Sequence, residues 1–206
     1  MTTRLYYAPR TRAFTALWLL EELGEPYELE SFSIHTGRHK KDDYLALNPM
    51  GKVPLVVHDG VPVSETGAVA LYLADRLGSD LAPKVDDAER SAFLRWMFFA
   101  GSVTEPALGE KFFKWDVPSS SVAWGSFADM ERMLTAGITP GPWLLGERFS
   151  IADVVVGASA RFGVMFGAFA KEGPIADYVA RLSGRDAFKR AEVIEAREGE
   201  RFPPKK

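Results

Sequence analysis

The spacing of apolar positions changes repeatedly along the first third of the chain. TRLYY (Thr3–Tyr7) is a short β-type run closed by Ala8 and Pro9. From Arg12 to Leu23 the period lengthens. Ala13, Ala16, Leu17, Leu20 and Leu23 share one face of a 3.6-residue helix, and Gly24 ends it. YELESF (Tyr27–Phe32) alternates as a half-buried strand does. A polar stretch with His35, Gly37, His39, Lys40 and Lys41 leads to a brief helical piece ending near Asn48–Pro49. VPLVVHDGVPV reads as two strands around an Asp59-Gly60 turn. A helix from about Glu65 to Leu77 follows, with Val69, Tyr72, Leu73 and Leu77 on one face. The order is β-α-β-α-β-β-α, one βαβ unit plus a hairpin, which predicts a small mixed sheet with helices packed on it.

After GSDLAPKVDDAER the period-two signal stops. A long helix is predicted from near Ala88, carrying Phe93, Trp96, Met97 and Phe98 and bent around Gly101 or Pro106. Further helices fit SVAWGSFADMERML, a segment starting at Ser150, PIADYVARL and DAFKRAEVIEAR; the tail FPPKK is expected to fray. The pattern divides the chain into an α/β domain over 1–77, a linker over 78–86 and an all-α domain over 87–206.

Composition narrows the function. Of 206 residues, 47% are hydrophobic and 26% charged, as in ordinary globular proteins, and the net charge is −3. No stretch concentrates Lys or Arg as a nucleic-acid surface needs. The start has no apolar core of signal-peptide length and no run approaches a membrane span, so a cytoplasmic protein with no membrane partner is expected. There is no Cys, which excludes disulfides, thiolate metal sites and Cys nucleophiles together. Three scattered His without carboxylates at ligand spacing predict no metal site, and His35 and His58 read as structural.

Taken alone, Pro54 marks an edge strand, and Ser64-Glu65-Thr66 is an N-cap with a Glu that complements the helix dipole. In sequence context both gain another meaning. NPMGKVPLVVHDGVPVSETGAVALYLAD resembles the glutathione-site core of the cytosolic glutathione transferases. LLGERFSIADVVV resembles the capping motif of their helical domain, and RDAFKRA a phrase near the end of bacterial members. The resemblance spans nearly the whole chain. It implies an N-terminal thioredoxin-like domain (βαβ-α-ββα) followed by a C-terminal all-helical bundle, and a homodimer. It implies a cis bond before Pro54, with Val53 exchanging backbone hydrogen bonds with the cysteinyl part of glutathione. It also implies that Glu65 pairs with the γ-glutamyl ammonium, while the Thr66 hydroxyl and helix-start N–H groups hold the carboxylate. Lys52, His39 and Lys40 match positions that recruit the peptide's carboxylates, although solvated loop charges explain His39 and Lys40 equally. Ser150 and Asp153 match a variant capping box, with Phe149 and Val154 available for a hydrophobic staple, and are structural.

The group that activates the sulfur is left open. In this family it lies between the first strand and first helix and is Tyr, Ser or Cys. The Ser position falls on Arg10, a departure. The position that holds Cys in one bacterial class, or an Arg or Asn near the sulfur in others, falls on Arg12, Tyr6 falls where Tyr-type classes keep their hydroxyl, and Thr11 offers another. The sulfur is expected to be activated at the N-terminus of the first helix, by Arg12 and the hydroxyl of Thr11 or Tyr6. Phe98, Phe112 and Trp115, with Met97 and Phe113, form an apolar set that serves either as core or as a lining for a hydrophobic co-substrate. The resemblance implies a transferase that conjugates the glutathione thiolate to a small hydrophobic electrophile. The alternatives are a glutathione-dependent peroxidase or lyase on the same site, and a non-catalytic binding or regulatory protein of the same fold.

Overall fold

The computed structural model describes residues 1–204. The chain divides into two compact units: Met1–Gly78 together with the C-terminal stretch from Arg185, and Ser79–Gly184. The segment 87–206, expected to form one helical domain, thus contributes its last helix to the first unit.

In the first unit, β1 (Thr3–Tyr7), β2 (Glu28–Ser31), β3 (Leu55–His58) and β4 (Val61–Ser64) form one sheet in the order β2-β1-β3-β4. β1 pairs with β2 in parallel and with β3 antiparallel, and β3 pairs antiparallel with β4. Asp59 and Gly60 both have positive φ (48° and 81°), as a two-residue hairpin turn requires. Helix α1 (Ala13–Leu23) ends where Gly24 turns left-handed at φ 72°, α2 (Asp42–Leu47) is short, and α3 (Thr66–Leu77) follows β4. Alternation along β1 decides which side chain meets which layer. Tyr6 joins Ala8, Phe32, Tyr44 and Leu55 in one cluster. Tyr7 faces the other way, where its hydroxyl donates to Glu195 on α9 (Asp186–Arg201).

Helix α9 packs against α1. Phe188 meets Phe14 and Trp18 edge-on at 5.5 and 5.1 Å. Arg185 forks onto Glu22 at 2.6 and 2.8 Å, and Arg190 reaches Glu21 at 2.7 Å. The expected fraying does not extend to Phe202, whose N–H donates to the Glu198 carbonyl and whose carbonyl accepts from Arg10. The last two residues of that tail, 205–206, lie outside the described residues.

In the second unit, α4 (Arg90–Phe99) continues through a π-helical stretch, Ala100–Thr104, into α5 (Glu105–Phe113). The irregularity includes Gly101 and ends two residues before Pro106, the two positions around which a bend was expected. Pro106 has no N–H to donate back one turn, and a widened turn accommodates the gap. Helix α6 (Phe127–Ile138) starts later than its sequence pattern suggests. Gly125 is left-handed at φ 70°, and Ser126 then caps the helix by accepting from the Asp129 N–H at 3.1 Å. Helices α7 (Ile151–Met165) and α8 (Pro174–Ser183) complete the unit, whose core includes Phe93, Trp96, Leu134, Val154 and Tyr178. Among the described residues no helix is long and apolar enough to cross a membrane.

Candidate functional site

Strand register gathers distant parts of the sequence at one end of the sheet. Leu55 pairs with Tyr6 on one side and with Ser64 on the other. The residues just beyond these three therefore adjoin: Ala8–Arg12 after β1, Val53–Pro54 before β3, and Glu65–Thr66 after β4. The Val53–Pro54 bond is cis, as the resemblance implies. The Lys52 carbonyl is held from behind by the Tyr44 hydroxyl at 2.6 Å and the Asn48 side-chain amide at 2.9 Å. Among the described residues the Val53 N–H and C=O enter no backbone hydrogen bond. The loop is fixed on one side and keeps an unspent donor and acceptor on the other, as an added strand needs.

Glu65 is exposed and sits at φ 69°, ψ 121°, a region that costs a non-glycine residue about 1–3 kcal/mol. Its side chain makes no capping bond, although its carbonyl accepts from Val69 N–H at 2.9 Å. A carboxylate held in a strained backbone, with no internal use, at the positive end of a helix is suited to an incoming ammonium. Thr66 beside it, half-buried, is the first residue of α3 and presents a hydroxyl and a helix-start amide.

A cationic loop lies alongside. The Lys40 ammonium donates to the Met50 carbonyl at 3.0 Å. Gly51, at φ 55°, passes so close beneath that a Cβ there would stand 2.7 Å from both the His39 carbonyl and Lys40 Nζ. The His39 ring stacks on Phe32 at 6.3 Å, and its Nδ1 is buried without a partner. Burial first, then the Lys40 and Lys52 charges, push the His39 pKa below its ordinary 6.5, so this imidazole is neutral at pH 7. Lys40, Lys52 and His39 thus come together, with the two lysines carrying the charge.

The β1–α1 segment answers part of what the sequence leaves open. Thr11 Oγ1 donates to the Ala8 carbonyl at 2.6 Å and accepts from the Ala13 N–H at 3.1 Å, so its one proton is committed to the turn. Arg12 is half-buried, in helical conformation at the start of α1. Tyr6 is buried, edge-on to Tyr44 at 5.4 Å with the Arg38 guanidinium 5.9 Å from its ring centre. Strand register brings Thr11 and Arg12 to the sheet end with Val53, Pro54, Glu65 and Thr66, and the Tyr6 ring lies in the buried cluster against which Val53 packs.

Sequence reasoning passed over Tyr7 and Glu195, and treated Arg10 only as a departure. The signal lay in α9, where Phe188, Ala191, Glu195 and Glu198 repeat at helical spacing on the packed face. Acids in such a stripe need partners. Glu195 has the Tyr7 hydroxyl and the Arg10 N–H at 2.7 Å, and Glu198 has Arg197 at 3.0 Å.

In the second unit, Phe98 and Phe113 are exposed (71% and 72%), and Trp115, 46% exposed, stacks on Phe113 at 5.9 Å. Phe112 is half-buried, edge-on to Phe162 at 6.0 Å, while Met97 belongs to the core. Asp153 is fully buried and accepts from Leu144 N–H at 2.9 Å, Ser150 N–H at 3.0 Å and the Tyr178 hydroxyl at 2.9 Å. With Ser150 it completes the capping box. Phe149 packs edge-on against Trp143 at 5.1 Å.

Residues 1–75 match the glutathione S-transferase N-terminal domain family. The chain is 28% identical over 163 residues to the disulfide-bond oxidoreductase YfcG of Escherichia coli, covering 73% of this chain and 75% of that protein. It is 30% identical over 156 residues to the glutathione S-transferase-like protein gedE of Aspergillus terreus, covering 66% and 67%. A glutathione transferase homologue from Sulfitobacter, solved with bound glutathione, superposes with a TM-score of 0.71 at 25% identity, over 94% of this chain and 98% of that one. A thioredoxin-like N-terminal domain with a four-stranded mixed sheet, a helical C-terminal domain and these likenesses all agree: the chain belongs to the glutathione S-transferase family.

Proposed function

We propose that this chain binds glutathione at the sheet end and transfers its thiolate to a small hydrophobic electrophile. The observation that carries the reading is Glu65, strained, exposed and without a capping role, beside the unspent backbone of Val53. The bound glutathione of the Sulfitobacter homologue supports it. Val53 exchanges hydrogen bonds with the cysteinyl unit, Glu65 takes the γ-glutamyl ammonium, and Thr66 with the α3 amides takes the carboxylate. Lys52 and Lys40 draw the glycyl carboxylate, with His39 behind them.

The sulfur then lies against the start of α1. A free thiol has a pKa of about 8.5 and is mostly protonated at neutral pH. The helix N-terminus and the Arg12 guanidinium lower that value by favouring the thiolate. Thr11 shapes the turn, since its proton goes to Ala8. Attack of the thiolate on an electrophilic carbon forms the C–S bond and expels the leaving group. The protein acts as a cytoplasmic homodimer, and a monomer mass by light scattering would overturn that.

A second reading, glutathione-dependent reduction of peroxides or disulfides, is favoured by the name of the Escherichia coli relative. Lacking Cys, this chain would need glutathione to supply both reducing thiols. The test comes in two steps. Glutathione at a hundred times its Kd should stabilise the fold by about 2.7 kcal/mol, read as a rise in Tm. Turnover of chlorodinitrobenzene against cumene hydroperoxide and a glutathione mixed disulfide then separates transferase from reductase. No thermal shift would remove both readings.

A further inference from the structure

The segment expected to activate the sulfur is held by the far end of the chain. Glu195 accepts two hydrogen bonds at once, from the Tyr7 hydroxyl at the end of β1 and from the Arg10 N–H at 2.7 Å. Arg10 itself has φ 61°, left-handed for a residue with a side chain. Such a conformation persists when its surroundings over-determine it. Here they do, because the Arg10 guanidinium also donates to the Gly199 carbonyl at 3.1 Å and to the Phe202 carbonyl. Those carbonyls belong to the last turn of α9 and the residue after it, the negative end of the helix, where a cation is favoured. The Arg10 backbone, its side chain and the preceding strand are thus all tied to the C-terminal end of one helix. Thr11 and Arg12 follow directly, so this tie sets where the α1 amides and the Arg12 side chain point.

We propose that Glu195 and Arg10 form a latch by which the C-terminal helix positions the sulfur-activating loop, making both positioning residues for the thiolate. The proposal rests on the glutathione reading above. Neither residue touches glutathione directly. The latch acts through the loop, so it governs reactivity and leaves the peptide-binding contacts of Val53, Glu65 and Thr66 alone.

The full chain, Arg10→Ala, Glu195→Ala and Glu195→Gln are compared with glutathione and chlorodinitrobenzene. Arg10 is exposed, so its truncation leaves the fold intact even where Glu195→Ala destabilises it. Arg10→Ala and Glu195→Ala should lower kcat about tenfold or more, the scale expected from a small misplacement of a reacting group. The absorbance titration of bound thiolate should move to higher pH, while the glutathione Kd by calorimetry stays within about twofold. Glu195→Gln keeps an acceptor for the Arg10 N–H and should recover part of the loss. A folded Arg10→Ala protein with unchanged kcat and thiolate titration overturns the latch. So does an equal loss of glutathione affinity and kcat, which marks a merely structural role. Absence of glutathione binding in the unaltered chain would instead overturn the reading on which the latch rests.

Discussion

Two helices of this molecule begin beside a carboxylate, and the two carboxylates are used in opposite ways. At the start of α7, Asp153 is fully buried and every bond it makes is internal, to Leu144, Ser150 and Tyr178. At the start of α3, Glu65 is exposed, caps nothing with its side chain and sits in a costly backbone conformation. The local sequences, FSIAD and VSETG, look equally like helix starts. What separates them is whether the acid's hydrogen-bonding capacity is spent within the fold. A spent carboxylate holds structure together. One kept unspent against a backbone cost is the mark of a ligand site.

The comparison breaks most visibly at Asp153. Asp153→Ala should cost about 3 kcal/mol or more, because it leaves a buried hydroxyl and two buried amides without their acceptor. Urea unfolding reads this, and a loss under about 1 kcal/mol would show that water replaces the carboxylate. A pH dependence sharpens the point. Burial, outweighing the hydrogen bonds it receives, pushes the Asp153 carboxyl above its ordinary 3.8. Its contribution is therefore fully present below the unfolded value and is lost as pH rises through the raised one. Relative to Asp153→Asn, which does not titrate, the unaltered chain should gain stability as pH falls from neutral toward about 4. A flat difference would mean the donors balance the burial.

Glu65 should behave in reverse. Glu65→Ala should weaken glutathione binding by about 1.5–3 kcal/mol, the range for a charge-assisted hydrogen bond. Unchanged affinity by calorimetry would sink the assignment. Glu65→Gly should lose the same affinity while gaining about 1 kcal/mol in stability, since glycine relieves the strained φ. Loss of both together would mean that Glu65 supports the fold as Asp153 does.

How much of this was legible from the sequence depended on the range of the interaction. The α1 face, the Asp59-Gly60 turn and the Ser150–Asp153 box each lie within a few residues, so periodicity and capping rules reach them. Resemblance added Pro54, Val53, Glu65 and Thr66, whose adjacency comes from strand register and not from spacing. The partner of Arg10 was out of reach. Its bonds to Glu195 and Gly199 span most of the chain, and no local pattern announces them. The bond from Tyr7 to Glu195 was equally out of reach, because alternation says only that Tyr6 and Tyr7 face opposite layers. The late start of α6 was missed because Gly125 and Ser126 were read through rather than as a stop and a cap.

A smaller effect is expected at Arg12, which tests whether the helix start or the guanidinium does more for the sulfur. Arg12→Ala should raise the bound thiol's pKa by about one unit and leave the glutathione Kd nearly unchanged. If the titration and turnover survive Arg12→Ala while Tyr6→Phe abolishes turnover, the Tyr-type assignment replaces this one.

The smallest expected effect lies in the cationic loop, where exposure rather than chemistry sets the scale. Lys40 and Lys52 are exposed, so their attraction for a carboxylate is screened by water and salt. Lys40→Ala and Lys52→Ala should each weaken glutathione about two- to fivefold at low salt, as exposed ion pairs do, and less in high salt. His39, neutral at pH 7 because burial and the two lysines disfavour its charged form, should add no charge of its own. His39→Gln should therefore leave the salt dependence of binding unaltered. If His39→Gln instead flattens the salt dependence as much as either lysine change, the imidazole is charged in the complex. The incoming carboxylate would then have reversed the shift that the lysines impose, and this loop would be an unspent site like that of Glu65 rather than a solvated surface.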